Sequence, residues 1–107
     1  LQHTESAVPV TAAGFGWTRG ASPATLERLY PTRALRAAEE SVVSLVCRVE
    51  EDYSMVCAPT LQEPRPPADF EWAALEILTY YRAAPKAVDG SSTVGRLVLQ
   101  RLQFKME

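Results

Sequence analysis

The sequence predicts an α+β domain: a three-stranded antiparallel sheet in the order 2-1-3, with two main helices on one face. Three observations carry this. Residues 42–49 read VVSLVCRV, and Val43, Leu45, Cys47 and Val49 share one side at period two, as in a half-buried strand. Phe70, Ala74, Ile77, Leu78 and Tyr81 recur at helical spacing and form one apolar stripe. The order helix, strand, strand, helix, strand makes a split β-α-β unit if the last strand pairs beside the first.

Taken in order, residues 1 to about 21 are rich in Thr, Ala, Ser and Gly without a sustained period, which predicts a linker or loosely docked segment; Phe15 and Trp17 are its large side chains. Ser22 and Pro23 make a helix start, the serine oxygen accepting from free amides and proline losing nothing at the first helical position. That short helix runs to Leu29. Tyr30 precedes Pro31 and is pushed out of helical geometry, and Pro31 opens a second helix carrying Arg33, Ala34, Leu35, Ala37, Ala38 and Glu40. After the 42–49 strand, the polar stretch from Glu50 to Ser54 reads as a hairpin turn, and Met55, Val56 and Cys57 as a return strand limited by Pro59. QEPRPPAD excludes regular structure, and Asp69 can cap a helix beginning at Phe70 that stops before Pro85. Asp89-Gly90-Ser91-Ser92 is turn chemistry leading into a last strand from about Thr93 to Phe104. Residues 22–107 form one folded domain in this reading.

Apolar residues make up 47% and charged residues 22% of the 107, as in ordinary globular domains. A net charge of -2 with dispersed lysines and arginines lacks the basic footprint that nucleic-acid binding needs. No apolar run approaches the roughly 20 residues of a membrane span. Any anchor or export signal is expected outside this sequence.

Cys47 and Cys57 are the two cysteines, and with His3 in a tail they cannot supply four zinc ligands. Their nine intervening residues differ from the Cys-x-x-Cys spacing of thiol oxidoreductases. A cross-strand disulfide is expected over two free thiols, since the spacing sets the side chains opposite one another across a hairpin. Such a bond implies an oxidising compartment. Glu50, Glu51 and Asp52 read as a solvated turn and not as an acid-base or metal site. Without a Ser-His-Asp set, a glycine-rich phosphate loop or a helical His-Glu pair, neither catalysis nor a cofactor is expected.

The order of elements and particular residues resemble the carboxy-terminal periplasmic domain of TonB-type energy transducers, over roughly residues 17 to 104. The likeness is carried by Trp17, Tyr30-Pro31, Leu45-x-Cys47-x-Val49, Tyr81-Arg82-x-x-Pro85, Asp89-Gly90 and Val98-x-x-x-Leu102-x-Phe104. Ser41 and Tyr53 stand where the family usually has glycine, so Tyr53 implies a turn without positive φ. Gln100 replaces an apolar residue on the face of Val98, Leu102 and Phe104, and burying its amide unpaired costs roughly 1–3 kcal/mol.

The resemblance implies a binding module that is not an enzyme. It is held in the periplasm by an inner-membrane segment outside this sequence and coupled there to a motor of the ExbB/ExbD type. Its partners are outer-membrane TonB-dependent transporters, whose extended TonB box pairs with the last strand, expected at the sheet edge. The candidate contacts are Tyr30, Val94, Arg96, Leu97, Val98, Leu99, Gln100, Arg101 and Leu102. Arg96 and Arg101 either hold acidic partner residues or guard the edge against aggregation. Leu97, Leu99, Val46 and Val56 face away from the helices; either Phe15 and Trp17 fold across them or a homodimer or partner covers them. The alternatives are a TonB-like scaffold or sensory domain of another periplasmic protein, or a small thiol-disulfide enzyme.

Overall fold

The computed structural model describes residues 2–6, as backbone, and residues 16–106. Two short helices precede the central hairpin, α1 (Pro23–Arg28) and α2 (Thr32–Ala37). Ser22 Oγ accepts from Thr25 N at 3.2 Å with Pro23 in the first turn, so α1 starts where the capping chemistry places it. The chain breaks at Tyr30 and α2 opens after Pro31. It ends earlier than the sequence predicts, because Ala38 turns left-handed (φ 51°) and Glu39 N closes back on Ala34 O at 2.8 Å. Glu40 therefore lies beyond the helix.

Strands β3 (Ser41–Val49) and β4 (Met55–Pro59) form an antiparallel hairpin with Cys47 opposite Cys57, and α3 (Ala68–Leu78) follows. Phe70, Ala74, Ile77 and Leu78 form the buried stripe of α3; the helix ends at Leu78, earlier than the sequence predicts, and Tyr81 is buried beyond it, just before the chain turns extended at Arg82. Asp69 is not the cap, since α3 begins at Ala68 after Pro67 and Asp69 lies in its first turn; its carboxylate accepts from Phe70 N at 2.9 Å and binds Arg33, Nε to Oδ2 at 2.8 Å. The last strand, β6 (Leu97–Phe104), starts later than expected because Gly95 at φ 82° and a turn closing Arg96 N on Thr93 O redirect the chain.

β6 pairs beside β3, from Ser41↔Phe104 to Arg48↔Leu97, which gives a mixed α+β fold around an antiparallel sheet. Its core lies between sheet and helices. There Tyr30, Phe70 and Phe104 make three edge-to-face contacts with centroids 5.1–5.9 Å apart.

Three expectations require correction. First, the amino-terminal segment is no linker where it is described: β1 (Gln2–Ser6) pairs with β6, and β2 (Trp17–Arg19) pairs with β5 (Arg82–Ala83). The expected three-stranded sheet thus has a fourth strand, in the order β1-β6-β3-β4, and β6 is not at its edge. Second, Trp17 does not cross the outer face; its ring packs edge-on to Tyr81 at 5.4 Å, against the helix-side core. Phe15 lies outside the described residues.

Third, Tyr53 keeps a glycine-like geometry, at φ 67°. The loop is a type I turn followed by a left-handed residue, closed by Tyr53 N to Glu50 O at 2.9 Å and Glu50 N to Ser54 O at 2.8 Å. Asp52 Oδ1 accepts from Ser54 N at 3.0 Å, and Tyr53 O accepts from Ala83 N at 2.8 Å. The surrounding bonds hold a tyrosine where its own preference does not.

Candidate functional site

The direction of each backbone group along β6 follows from the hairpin. Cys47 and Cys57 are directly opposed with Cα atoms only 4.0 Å apart, the spacing of a pair that exchanges no ladder hydrogen bonds. The N–H and C=O of Cys47 therefore point away from β4, toward β6. Val49 N donating to Arg96 O at 3.0 Å has the same parity. Across the β3–β6 register, Val98, Gln100 and Leu102 turn their backbone groups to β3. Leu99, Arg101 and Gln103 turn theirs outward, where they face Ser6, Thr4 and Gln2 of β1.

Side chains follow the opposite logic, alternating between the two faces. Val98, Gln100 and Leu102 are buried on the helix-covered face, so these three offer a partner no side chain. Leu97 and Leu99 are half-buried on the other face, beside half-buried Val46 and exposed Val56. Arg101 is exposed. Val94 is partly exposed in the preceding turn, and Arg96 is tied into that turn, its Nε donating to Ser92 O at 3.1 Å and Nη2 to Ser91 Oγ. This is a folding role that the sequence does not disclose. Asp89 accepts from Ser91 in the same turn, and that bond holds its carboxyl below the usual range.

Tyr30 is likewise a core residue, 6% exposed, and not the surface contact expected of it. Its hydroxyl donates to Glu39 O at 2.6 Å; burial, with Glu40 and Glu39 nearby, raises its pKa. It instead floors a groove of about 470 Å³ lined by Leu26, Leu35, Met106, Glu27 and Lys105.

The opposite side of the sheet is closed by residues that no sequence pattern singled out. β4 stops at Pro59, leaving Val42 and Ser44 of β3 turned outward. The Gln62 side chain completes their ladder, Oε1 accepting from Ser44 N at 2.9 Å and Nε2 donating to Val42 O at 3.2 Å. Pro59 lies opposite Leu45 with its nitrogen on the solvent side, where no donor is required.

Cys47 and Cys57 form a disulfide with an S–S distance of 2.06 Å. Cys47 is fully buried. Glu51 and Asp52 are exposed, Glu50 binds Arg48, and among the described residues no group of three or more His, Cys, Asp and Glu is arranged to hold a metal. No helix among them is long and apolar enough to cross a membrane. No family model, curated protein or solved structure matches the chain.

Proposed function

We propose that this chain is the periplasmic carboxy-terminal domain of a TonB-like energy transducer, a binding module and not an enzyme. It takes an extended transporter segment along β6 and passes on force from an inner-membrane motor. The observation that carries this reading is the outward backbone row Leu99, Arg101, Gln103, set in an antiparallel sheet and able to accept a five-residue antiparallel strand, as the pairing with Gln2–Ser6 illustrates. Backbone pairing supplies affinity. Arg101 and the half-buried Leu97 and Leu99 supply what selectivity the site has. The disulfide fits an oxidising compartment.

Titration with synthetic TonB-box peptides, following backbone amide signals of the oxidised domain, tests it. Shifts concentrated at residues 94–102 are expected; none at millimolar peptide would remove the transducer role. A second reading, a TonB-like scaffold or sensory domain, draws support from the same pairing, because a β6 row permanently filled by the chain's own strand has no place for a transporter segment.

A further inference from the structure

β1 lies where an added partner strand would lie. Its register runs from Gln2↔Gln103 to Ser6↔Leu99, antiparallel and without a bulge. It covers Leu99, Arg101 and Gln103, three of the four residues of β6 whose backbone groups face away from β3, the fourth being Leu97. Beyond it, residues 7–15 precede the next pairing, Trp17 with Ala83. β1 is therefore connected to the body of the domain through the chain that leads to β2.

A strand carried on the same chain competes with any incoming segment at an effective concentration set by the length of the connecting chain, on the order of millimolar for short connections. Its sequence, QHTES, has no β-branched or aromatic run to lock it in place, Thr4 being the only β-branched residue. We infer that Gln2–Ser6 is an intramolecular placeholder: it closes the β6 row in the resting chain and is displaced when an extended partner segment adds in the same antiparallel register. The inference rests on the strand-addition reading above and adds to it a gate on access. A row closed for ~90–99% of the time lowers apparent partner affinity about 10- to 100-fold, because only the open fraction binds.

The register supplies a matched pair of variants in the full chain. Thr4 lies opposite Arg101, whose backbone groups face β1, so Thr4→Pro removes a donor from the ladder. His3 lies opposite Leu102, whose backbone groups face β3, so the backbone nitrogen of His3 points away from β6 and His3→Pro spares the ladder. Hydrogen exchange at Leu99, Arg101 and Gln103 reads the closure directly, and the TonB-box peptide reads access. The expected result has three parts: protection of those amides in the parent and in His3→Pro, its loss in Thr4→Pro with recovery on adding a peptide of residues 1–8, and about 10-fold or greater tightening of TonB-box binding in Thr4→Pro alone. Unprotected amides in the parent, or equal peptide affinity in all three proteins, overturns the placeholder. Protection that behaves as expected while the TonB-box peptide binds none of the three overturns the transducer reading instead, and with it the gating role, leaving β1 a structural fourth strand.

Discussion

Reduction of the Cys47–Cys57 bond is the perturbation whose magnitude follows most directly from the structure. The bond closes a loop with a sequence separation of 10, for which the chain-entropy relation gives ~2.7 kcal/mol at 25 °C. Nothing large is expected to offset or add to this in the folded state. The two residues already oppose each other in a continuous ladder, and a buried thiol behaves as a small apolar group. For 107 residues at roughly 2.1 cal/mol/K each, the corresponding fall in melting temperature is about 12 °C. The assay is thermal and urea unfolding followed by near-ultraviolet dichroism with and without a phosphine reductant, after mass spectrometry has established the oxidised starting state. A Cys47→Ala/Cys57→Ala double variant should show no response to the reductant. A fall below about 3 °C would refute the entropic account, since the loop would then be as restricted in the unfolded chain without the bond. Complete unfolding at 25 °C would refute it from the other side, by making the bond a condition of hairpin register.

Further outcomes follow from the same geometry. Ala38→Gly should stabilise by about 0.5–1 kcal/mol in urea unfolding, because the left-handed φ of 51° costs a β-carbon roughly 1–2 kcal/mol and glycine returns part of that gain as unfolded-state entropy. Gln62→Ala should leave the fold intact but cost about 1–3 kcal/mol and speed amide exchange at Ser44, whose N–H loses its acceptor. Trp17→Ala should cost roughly 1–3 kcal/mol through the lost contact with Tyr81, where a freely hanging segment would register no change. Acid should destabilise the domain. The Asp69 carboxyl is held low by its bond to Arg33, and those of Asp52 and Asp89 by Ser54 and Ser91. Groups with depressed folded-state pKa values stabilise above the ordinary carboxyl range near pH 4, and that contribution is lost as pH falls through it. Asp69→Asn should flatten the slope of stability against pH in that window.

Much of the central sheet and its covering helix is legible in the residues because burial on one face imposes a period. Val43, Leu45, Cys47 and Val49 alternate with less buried neighbours, and the Phe70 to Leu78 stripe repeats at the helical pitch. Local chemistry serves as well where it is self-contained: Ser22 and Pro23 start a helix, Tyr30-Pro31 breaks one, and nine residues between cysteines admit a cross-strand bond. The misplaced boundaries are those decided by contacts from elsewhere. Asp69 has the composition of a cap but sits inside the first turn of α3, bound to Arg33 and to Phe70 N, and Ala38 ends a helix that composition alone would continue.

The candidate site divides in the same way. That Val98, Leu102 and Phe104 lie on one face of the last strand is a matter of period, which also buries Gln100 among them. That β6 is flanked on both sides is not, because an outer strand such as QHTES gains its order from backbone pairing and needs no apolar alternation of its own. Tyr53 reads as incompatible with positive φ from its side chain alone, because the bonds from its N–H to Glu50 O and from Ala83 N to its carbonyl, which hold its backbone, leave no mark in the sequence. The sequence by itself therefore determined which surfaces must be buried, through their period, and where the chain can turn or cross-link. The tertiary structure alone decided which strand lies against which and whose polar side chain completes a ladder, because hydrogen bonds between segments distant along the chain leave no periodic trace in either one.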